Sequence, residues 1–363
     1  EQPAGVGFSY PARDTNDTIT TADAHVAILA FLHDYNLLGH KFFIAGESYG
    51  GHFVPNTVEA ILKGNAASRT PIDIVGFAVG NGYTDWRHDF NANVPYARYH
   101  ALCSPRDFAA VQRECGEDSA RCFWRRPDID CPAACSAAVD NATRNAMDNS
   151  IDIYDIYADV CPKSSQARVS SQAFVMERYR RTGLSPVSPI FPTCADSMTE
   201  AYLSRADVQE AIHAKRIKHW SQCDLLNGGN AKYDFNFASV LPAYREWTSK
   251  GNLRMLVYSG DTDFIVNFLG TQSWVESLSL HRVKGFRRWR GSDGQVAGYV
   301  TDYASLTHAT VKGAGHMVPR DRPRHALDMI SAFLNGTALD RIPETPGGPL
   351  CAKGSEEYQT VYM

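Results

Sequence analysis

The serine at position 48 lies in the pentapeptide 46–50, Gly-Glu-Ser-Tyr-Gly. An apolar run at residues 41–45, compatible with a buried strand, precedes it, and a helical pattern follows through Leu62. Gly-x-Ser-x-Gly between a strand and a helix is typical of a nucleophile elbow, a tight turn that exposes the serine hydroxyl. Ser48 is therefore the predicted nucleophile, and the backbone N–H of Tyr49 is the predicted oxyanion donor. The alternative is a glycine-rich turn whose serine has no role.

A serine hydroxyl needs a general base and an orienting carboxylate to act as a nucleophile near neutral pH. In a fold with this elbow, the acid and then the histidine follow the serine along the chain, each in a loop after a strand. His316 lies in a glycine-rich loop after a β-like run at residues 308–311, and Asp261 and Asp263 follow another β-like run at residues 253–258. His316 is the predicted base, the alternative being a surface histidine. Spacing alone leaves the choice between the two aspartates open.

The composition is that of a globular protein. The 363 residues are 44% hydrophobic and carry a net charge of −4, which argues against disorder. The densest basic cluster, residues 287–290, is too small to indicate nucleic acid as a main partner. No apolar stretch approaches the roughly 20 residues that span a bilayer. The chain begins with neither an initiator methionine nor a signal peptide, so we expect a mature form or a fragment that lacks its beginning.

Nine cysteines are present, five of them within residues 103–135. None has the Cys-x2-Cys spacing of a structural zinc site, so disulfides in an oxidising compartment are expected, with no metal and no cofactor. Glycosylation sequons at Asn16, Asn141 and Asn335 agree with that compartment. We therefore expect a protein of the secretory pathway. Because the number of cysteines is odd, at least one lacks an internal partner.

Strand-like and helical patterns alternate in both ends of the chain. A further strand is predicted at residues 72–79, and helices at residues 21–38, with an apolar stripe that includes Val26, Leu29 and Leu32, and at residues 323–334. The α/β class follows, with a mostly parallel sheet. We predict an α/β-hydrolase core at residues 1–86 and 248–340, a large, mainly helical, disulfide-stapled insertion at residues 87–247, and a tail at residues 341–363.

Five motifs resemble those of the serine carboxypeptidase family, most of all its fungal members. They are residues 46–55, Gly-Glu-Ser-Tyr-Gly-Gly-His-Phe-Val-Pro, and residues 2–10, 80–82, 258–263 and 315–319. They occur in the family's order and leave only the insertion and the tail poorly matched. The resemblance implies a triad of Ser48, Asp263 and His316, and so favours Asp263 as the acid. It also implies an acyl-enzyme on Ser48, with the C-terminus of a peptide or protein as substrate.

The resemblance implies that Glu47 binds the C-terminal carboxylate of the substrate and shares a proton with a second acidic residue. Two carboxylates in contact do not both stay ionised, so this implies work at acidic pH, in a vacuole or outside the cell. The alternative for Glu47 is a solvated turn residue. The resemblance also implies a pocket of Tyr49, Ile265, Val266 and Met317. Val266 stands where yeast-type members carry a cysteine, so sensitivity to thiol reagents through that position is not expected.

For the cysteines we expect the nested pairs Cys115–Cys135 and Cys122–Cys131 and the pair Cys161–Cys194, and we leave Cys103 and Cys351 open. In the family, an upstream loop Asn-Gly-Gly-Pro-Gly-Cys-Ser-Ser supplies a second oxyanion N–H, and its cysteine pairs with one late in the insertion, here Cys223. No such loop precedes Glu1. We therefore expect a fragment of a longer enzyme, with activity reduced roughly 100- to 1000-fold by loss of that donor.

Two functions remain as alternatives to a serine-type carboxypeptidase. An acyltransferase would use the same residues with an alcohol in place of water, and it would need a hydrophobic pocket that excludes water. A non-catalytic binding protein is disfavoured, because serine, aspartate and histidine are all present in the required order. Peptide C-termini are the expected partners, with neither nucleic acid nor a membrane span.

Overall fold

The computed structural model describes residues 1–123, 130–148, 151–160, 192–221 and 231–341. The expectations for Cys161, Cys223, Cys351 and the tail beyond residue 341 fall outside these residues, as does the side chain of Cys194.

A mostly parallel sheet forms the centre of the described structure. Its strands are β2 Phe42–Glu47, β3 Ile74–Gly80, β5 Arg254–Gly260, β6 Arg282–Arg290, β7 Val296–Tyr303 and β8 Leu306–Val311, while β1 Thr15–Asn16 and β4 Tyr233–Asp234 pair separately. The six strands of the sheet have the order β2-β3-β5-β8-β7-β6. The first four are parallel neighbours, and β7 and β6 follow antiparallel. The expected mostly parallel sheet is confirmed.

Thirteen helices are described. They are α1 Asp17–Asp34, α2 Gly50–Ala67, α3 Trp86–Asn91, α4 Asn93–Tyr99, α5 Pro105–Cys115, α6 Ala120–Phe123, α7 Ala133–Met147, α8 Pro192–Leu203, α9 Ala206–Ala211, α10 Leu241–Lys250, α11 Phe268–Ser277, α12 Val318–Asp321 and α13 Pro323–Asn335. Of these, α1, α2, α10 and α11 pack on one face of this sheet and α13 on the other. Successive residues of a strand point to opposite faces. Accordingly Phe77 packs in one core with α2, α10 and α11, and the adjacent Ala78 packs in a second core with α13.

Helix α1 begins earlier than expected and buries a different face. Asn16 caps it, since its side-chain oxygen accepts the Ile19 N–H at 2.9 Å. Much of the buried face is polar, and Thr21 donates to the Asp17 carbonyl at 2.6 Å, whereas Val26 is 66% exposed. The predicted apolar stripe was therefore wrong at Val26 and at Leu29, which is also exposed, and right at Leu32. Buried polar groups are tolerated when they are hydrogen-bonded, and apolar periodicity does not reveal such bonds.

The hairpin of β6 and β7 was not expected from the sequence, which shows only a basic cluster there. Trp289 is 1% exposed, and its Nε1 donates to the Thr310 carbonyl at 3.0 Å. Arg287 forms an ion pair with Asp302 across the hairpin at 2.5 Å. The basic cluster thus belongs to a largely exposed strand whose one buried residue, Trp289, packs in the core; its hydrogen-bond partner, Thr310, is distant in the sequence, so the local pattern did not reveal the strand.

The described part of the predicted insertion is mainly helical and disulfide-stapled. Disulfides join Cys115 to Cys135 and Cys122 to Cys131, with S–S distances of 1.99 and 2.10 Å. These are the two nested pairs expected from the sequence. Cys103 is buried and forms no disulfide with a described residue.

Helix α10 spans the predicted end of the insertion at residue 247. The rings of Tyr244 and Trp247 pack against Phe77 of β3, with centroid distances of 5.6 and 5.5 Å. The division into domains stays a prediction, and this packing favours an insertion that ends before residue 241.

Candidate active site

The turn around Ser48 has the geometry of a nucleophile elbow. Strand β2 ends at Glu47, helix α2 follows directly, and Ser48 between them has a left-handed φ of 62°. The Ser48 N–H donates to the Gly80 carbonyl at 3.2 Å. A Cβ at Gly51 would lie 2.2 Å from the Tyr83 carbonyl oxygen, so glycine is required there. A serine in the left-handed region is strained and persists because its surroundings hold it, which is common at functional sites.

His316 and Asp263 form a buried pair. His316 Nδ1 lies 2.7 Å from Asp263 Oδ2, and the two residues are 4% and 0% exposed. Asp263 Oδ1 accepts the Ile265 N–H at 3.0 Å. A buried carboxylate needs such partners, because an unpaired charge away from water is costly. With Nδ1 held by the carboxylate, Nε2 is the nitrogen left to exchange a proton with a serine.

Asp261, the alternative acid, makes a different contact. Its Oδ1 accepts the Gly313 N–H at 2.6 Å, and the Thr262 N–H donates to the Ala314 carbonyl at 2.9 Å. These bonds join the loop after β5 to the loop after β8. The structure therefore places Asp263, and not Asp261, against His316.

Asn81, which the sequence marked only as part of a turn, holds the acid in place. Its Nδ2 donates to Asp263 Oδ2 at 2.9 Å, and its Oδ1 accepts the Gly260 N–H at 2.9 Å. Asn81 is fully buried and has a φ of 40°. Asparagine tolerates this conformation better than most residues, so one side chain serves both the turn and the carboxylate. The sequence offered one signal for this supporting role, namely an amide side chain directly after β3, at the carboxyl edge of the sheet.

The charge state of His316 depends on its neighbours. Burial lowers its pKa, but the Asp263 carboxylate raises it more, with a contribution from Glu47, so the pKa of His316 stands above its usual value. His316 Nε2 is buried and has no hydrogen-bond partner among the described residues. The Ser48 hydroxyl is therefore not hydrogen-bonded to it here, as is common before substrate binds.

Glu47 brings a second titratable group to the site. The residue is half-buried. Burial raises its pKa, His316 and Arg320 oppose that rise, and Asp263 and Asp321 add to it, with a net increase. Burial is thus the main cause of the shift, and charged groups that follow β5 and β8 modify it.

A segment of the predicted insertion, residues 151–158, binds both loops and is called the strap below. The Ile153 carbonyl accepts the Phe264 N–H at 3.0 Å, and the Tyr154 carbonyl accepts the His316 N–H at 2.7 Å. The Tyr154 ring also lies 5.0 Å from the His316 ring. A Cβ at Gly315 would lie 2.3 Å from the Tyr154 carbonyl oxygen, so the strap and the histidine loop approach as closely as glycine allows. Sequence reasoning missed this contact.

The residues expected to form a substrate pocket closely follow Ser48, Asp263 or His316 in the sequence. The Tyr49 ring packs beside Phe53 and Phe235, with centroid distances of 4.9 and 5.3 Å. Val266, which follows Ile265 in the loop after β5, is 7% exposed. Ile265 lies in the loop that carries Asp263, Met317 directly follows His316, and both are half-buried. Their role as a pocket stays a prediction.

A cavity of about 600 Å³ lies among residues such as Arg254, Leu306 and Phe333, at the amino ends of β5 and β8. Ligands of open α/β sheets bind at the carboxyl ends of the strands, where Ser48, Asp263 and His316 lie, so we do not assign substrate to this cavity.

The described residues contain no cluster of three potential metal ligands. None of their helices is long and apolar enough to cross a membrane.

The fold and the site define an α/β-hydrolase with a serine at its nucleophile elbow. The family model of serine carboxypeptidases matches residues 1–336. The chain is 34% identical over 356 residues to serine carboxypeptidase-like 25 of Arabidopsis thaliana, covering 94% of this chain and 72% of that protein. It is also 34% identical over 359 residues to serine carboxypeptidase 24 of the same plant, with the same coverage. The chain belongs to the serine carboxypeptidase family.

A solved structure shows the same fold. The crystal structure of Kex1(Δ)p, a prohormone-processing carboxypeptidase from Saccharomyces cerevisiae, matches with a TM-score of 0.69 at 17% identity, covering 93% of this chain and 73% of that one. The α/β-hydrolase fold expected from the sequence is confirmed.

Proposed function

We propose that this protein is a serine carboxypeptidase that releases C-terminal amino acids from peptides at acidic pH, through an acyl-enzyme on Ser48. One observation carries the proposal: the loops after β5 and β8 bring Asp263 and His316 together at 2.7 Å, at the carboxyl edge of the sheet where a half-buried glutamate, Glu47, precedes the elbow serine. The site thus combines a base for the serine with a carboxyl group that burial favours in its neutral form.

In the proposed reaction, Ser48 Oγ attacks the last peptide carbonyl, and its proton passes to His316 Nε2. Asp263 stabilises the imidazolium that forms, and the Tyr49 N–H binds the oxyanion. The imidazolium then protonates the amine of the leaving amino acid. Water attacks the acyl-enzyme in the second half, with His316 again as base.

Glu47 would restrict the reaction to chain ends. A neutral Glu47 donates a hydrogen bond to the terminal carboxylate of the substrate, whereas an ionised Glu47 repels it. A peptide whose C-terminus is an amide lacks this partner. Ionisation of Glu47 as pH rises should therefore weaken binding, which supports an acidic working range.

A blocked dipeptide with a free carboxylate, and the same dipeptide amidated, test the proposal. The free acid should have a kcat/KM at least about tenfold higher, because a hydrogen bond to a charged group contributes about 1.5–3 kcal/mol. Ser48→Ala should abolish hydrolysis and labelling by a fluorophosphonate. Equal rates on acid and amide would exclude a carboxypeptidase. Ester as the main product in the presence of an alcohol would instead favour an acyltransferase.

We infer further that the protein matures in the secretory pathway. The two disulfides of the insertion support this, since such bonds persist in oxidising compartments. Asn141 and Asn335 are exposed on α7 and at the end of α13, whereas Asn16 is half-buried as the cap of α1. An endoglycosidase should reduce the apparent mass of the natural protein, and Asn141→Gln and Asn335→Gln should reduce that shift. No shift would contradict glycosylation.

A further inference from the structure

A fully buried carboxylate outside the triad lies next to the elbow. Asp17, the first residue of α1, is 0% exposed. Its Oδ1 accepts the hydroxyl of Tyr49 at 2.7 Å and the hydroxyl of Tyr233 at 2.8 Å. Its Oδ2 accepts the backbone N–H groups of Asn236 at 2.8 Å and Phe237 at 3.2 Å. Four donors thus meet one side chain.

These donors compensate a charge that would otherwise be costly to bury. No described lysine or arginine forms an ion pair with Asp17, and its position in the first turn of α1 places it at the positive end of the helix dipole. Burial, together with the bond to Asp17 and its charge, raises the pKa of Tyr49 and of Tyr233. Both phenols therefore stay protonated and remain donors.

Three parts of the chain converge on this carboxylate. The first is the start of α1, the second is the elbow through Tyr49, and the third is the segment 231–237 of the predicted insertion. Thr15 pairs with Tyr233 between β1 and β4, and the Lys232 N–H donates to Asp14 at 2.8 Å. The segment 231–237 is therefore attached to α1 along its backbone as well as through Asp17.

The contacts of Tyr49 explain why its orientation matters. Its ring is stacked on His52 at 5.1 Å and lies edge-on to Phe235 at 5.3 Å, while its backbone follows Ser48. Phe235, at 58% exposed, presents an aromatic edge to solvent. The Tyr49 and Phe235 rings thus pack together next to the turn that carries Ser48, and Asp17 binds both the Tyr49 hydroxyl and the backbone N–H groups of Asn236 and Phe237.

We propose that Asp17 is a positioning residue that fixes the Tyr49 ring and the segment 231–237 as one rigid wall beside Ser48, and that this wall selects substrates with a bulky aromatic group on the acyl side. The inference rests on the proposed role of Ser48 as nucleophile. It does not depend on the substrate being a peptide. Loss of the Asp17 bonds leaves Ser48 in place but frees the ring that a bulky acyl group contacts.

Two fluorophosphonate probes, one with a methyl and one with a benzyl group on phosphorus, test this by their rates of labelling Ser48. In the natural protein the benzyl probe should react faster. In Tyr233→Phe and in Asp17→Asn, the benzyl probe should slow about tenfold and the methyl probe less than about twofold, since each change disturbs hydrogen bonds to a charged group. Tyr233→Phe removes one hydroxyl only, so it gives an answer even if Asp17→Asn does not fold.

Tyr244→Phe is the matched control, because it also removes a buried tyrosine hydroxyl, and that hydroxyl has no partner among the described residues. It should keep the natural ratio of the two rates. A fall of both rates together in Tyr233→Phe would indicate a merely structural role and overturn the inference, as would an unchanged ratio. Labelling without peptide hydrolysis would contradict the proposed carboxypeptidase alone. No labelling of the natural protein by either probe would contradict both proposals.

Discussion

Asn81 Nδ2 and His316 Nδ1 meet the same oxygen, Oδ2 of Asp263, at 2.9 and 2.7 Å. The amide therefore stabilises the ionised acid and fixes the direction from which it contacts the imidazole. Asn81 is anchored in turn by its bonds to the backbone of β5, through the Tyr258 carbonyl and the Gly260 N–H. The position of the acid thus depends on the turn after β3 as much as on its own loop.

Asn81→Gly should lower kcat/KM about 10- to 100-fold, because it removes a hydrogen bond to a charged group without adding backbone strain at a positive φ. The measurement is steady-state hydrolysis of a blocked dipeptide. Asn36→Gly is the matched control, since Asn36 also has a positive φ, of 55°, and is exposed on the end of α1. Unchanged kinetics in Asn81→Gly would show that Asp263 is held well enough without the amide.

Glu47→Gln should change the pH dependence of peptide hydrolysis on both the alkaline and the acid side. In the natural protein, ionisation of Glu47 as pH rises should increase KM for a substrate with a free carboxylate, and this increase should vanish in the variant. The Glu47 charge is also one of the causes that raise the pKa of His316. Removing it lowers that pKa in the free enzyme, so the acid limb of kcat/KM should move to lower pH. Profiles of kcat and KM that coincide with those of the natural protein would contradict both roles.

Tyr154→Ala should move the acid limb of the pH profile to higher pH, opposite to the effect of Glu47→Gln. The Tyr154 ring covers the imidazole of His316, and burial is the main cause that lowers the pKa of that group. Removing the ring admits water, so the pKa of His316 should rise, and Tyr154→Phe should restore the natural value. Histidine titration by NMR, assigned with His316→Gln, measures this directly. Tyr157→Ala, on the same strap and 69% exposed, should have no effect. A natural pKa in Tyr154→Ala would show that the ring does not shield the imidazole.

The sequence was sufficient to predict the elbow at Ser48, and an aspartate and a histidine at the same edge of the sheet, for a physical reason. The elbow is a local feature, legible from a strand, glycines and a helix in succession. The acid and the histidine follow parallel strands, and the carboxyl ends of parallel strands meet at one edge. Choosing Asp263 over Asp261 needed either the family resemblance or the observed contact, because both aspartates follow β5 at nearly the same place.

The supporting residues were missed because their partners are far away in sequence. Asp17 meets Tyr233 across 216 residues, and Asn81 meets Asp263 across 182. Nothing local distinguishes Asp17 from an exposed aspartate in the first turn of a helix. The same holds for the strap, which hydrogen-bonds the loop after β5 and the loop after β8 although both are distant from it in the sequence.

A buried acid away from the site should make stability depend on pH. Asp89 in α3 is 2% exposed, and its Oδ2 accepts the backbone N–H groups of Thr84 and Asp85 at 2.8 and 2.9 Å. Burial raises its pKa to about 8, although both backbone bonds oppose the rise. In the unfolded chain an aspartate titrates near its ordinary pKa of about 4.

Between about pH 4 and pH 8 the unfolded chain therefore loses a proton that the folded protein keeps. The stability that Asp89 contributes is complete below about pH 4, falls by up to about 1.4 kcal/mol per pH unit as pH rises, and levels off above about pH 8. Asp89→Asn can still accept the two backbone N–H groups and does not ionise, so the free energy of unfolding in urea should fall less steeply over this range. Asp73→Asn, which changes an exposed aspartate, should keep the natural slope. An equal slope in Asp89→Asn would mean that Asp89 is already ionised in the folded protein at acidic pH.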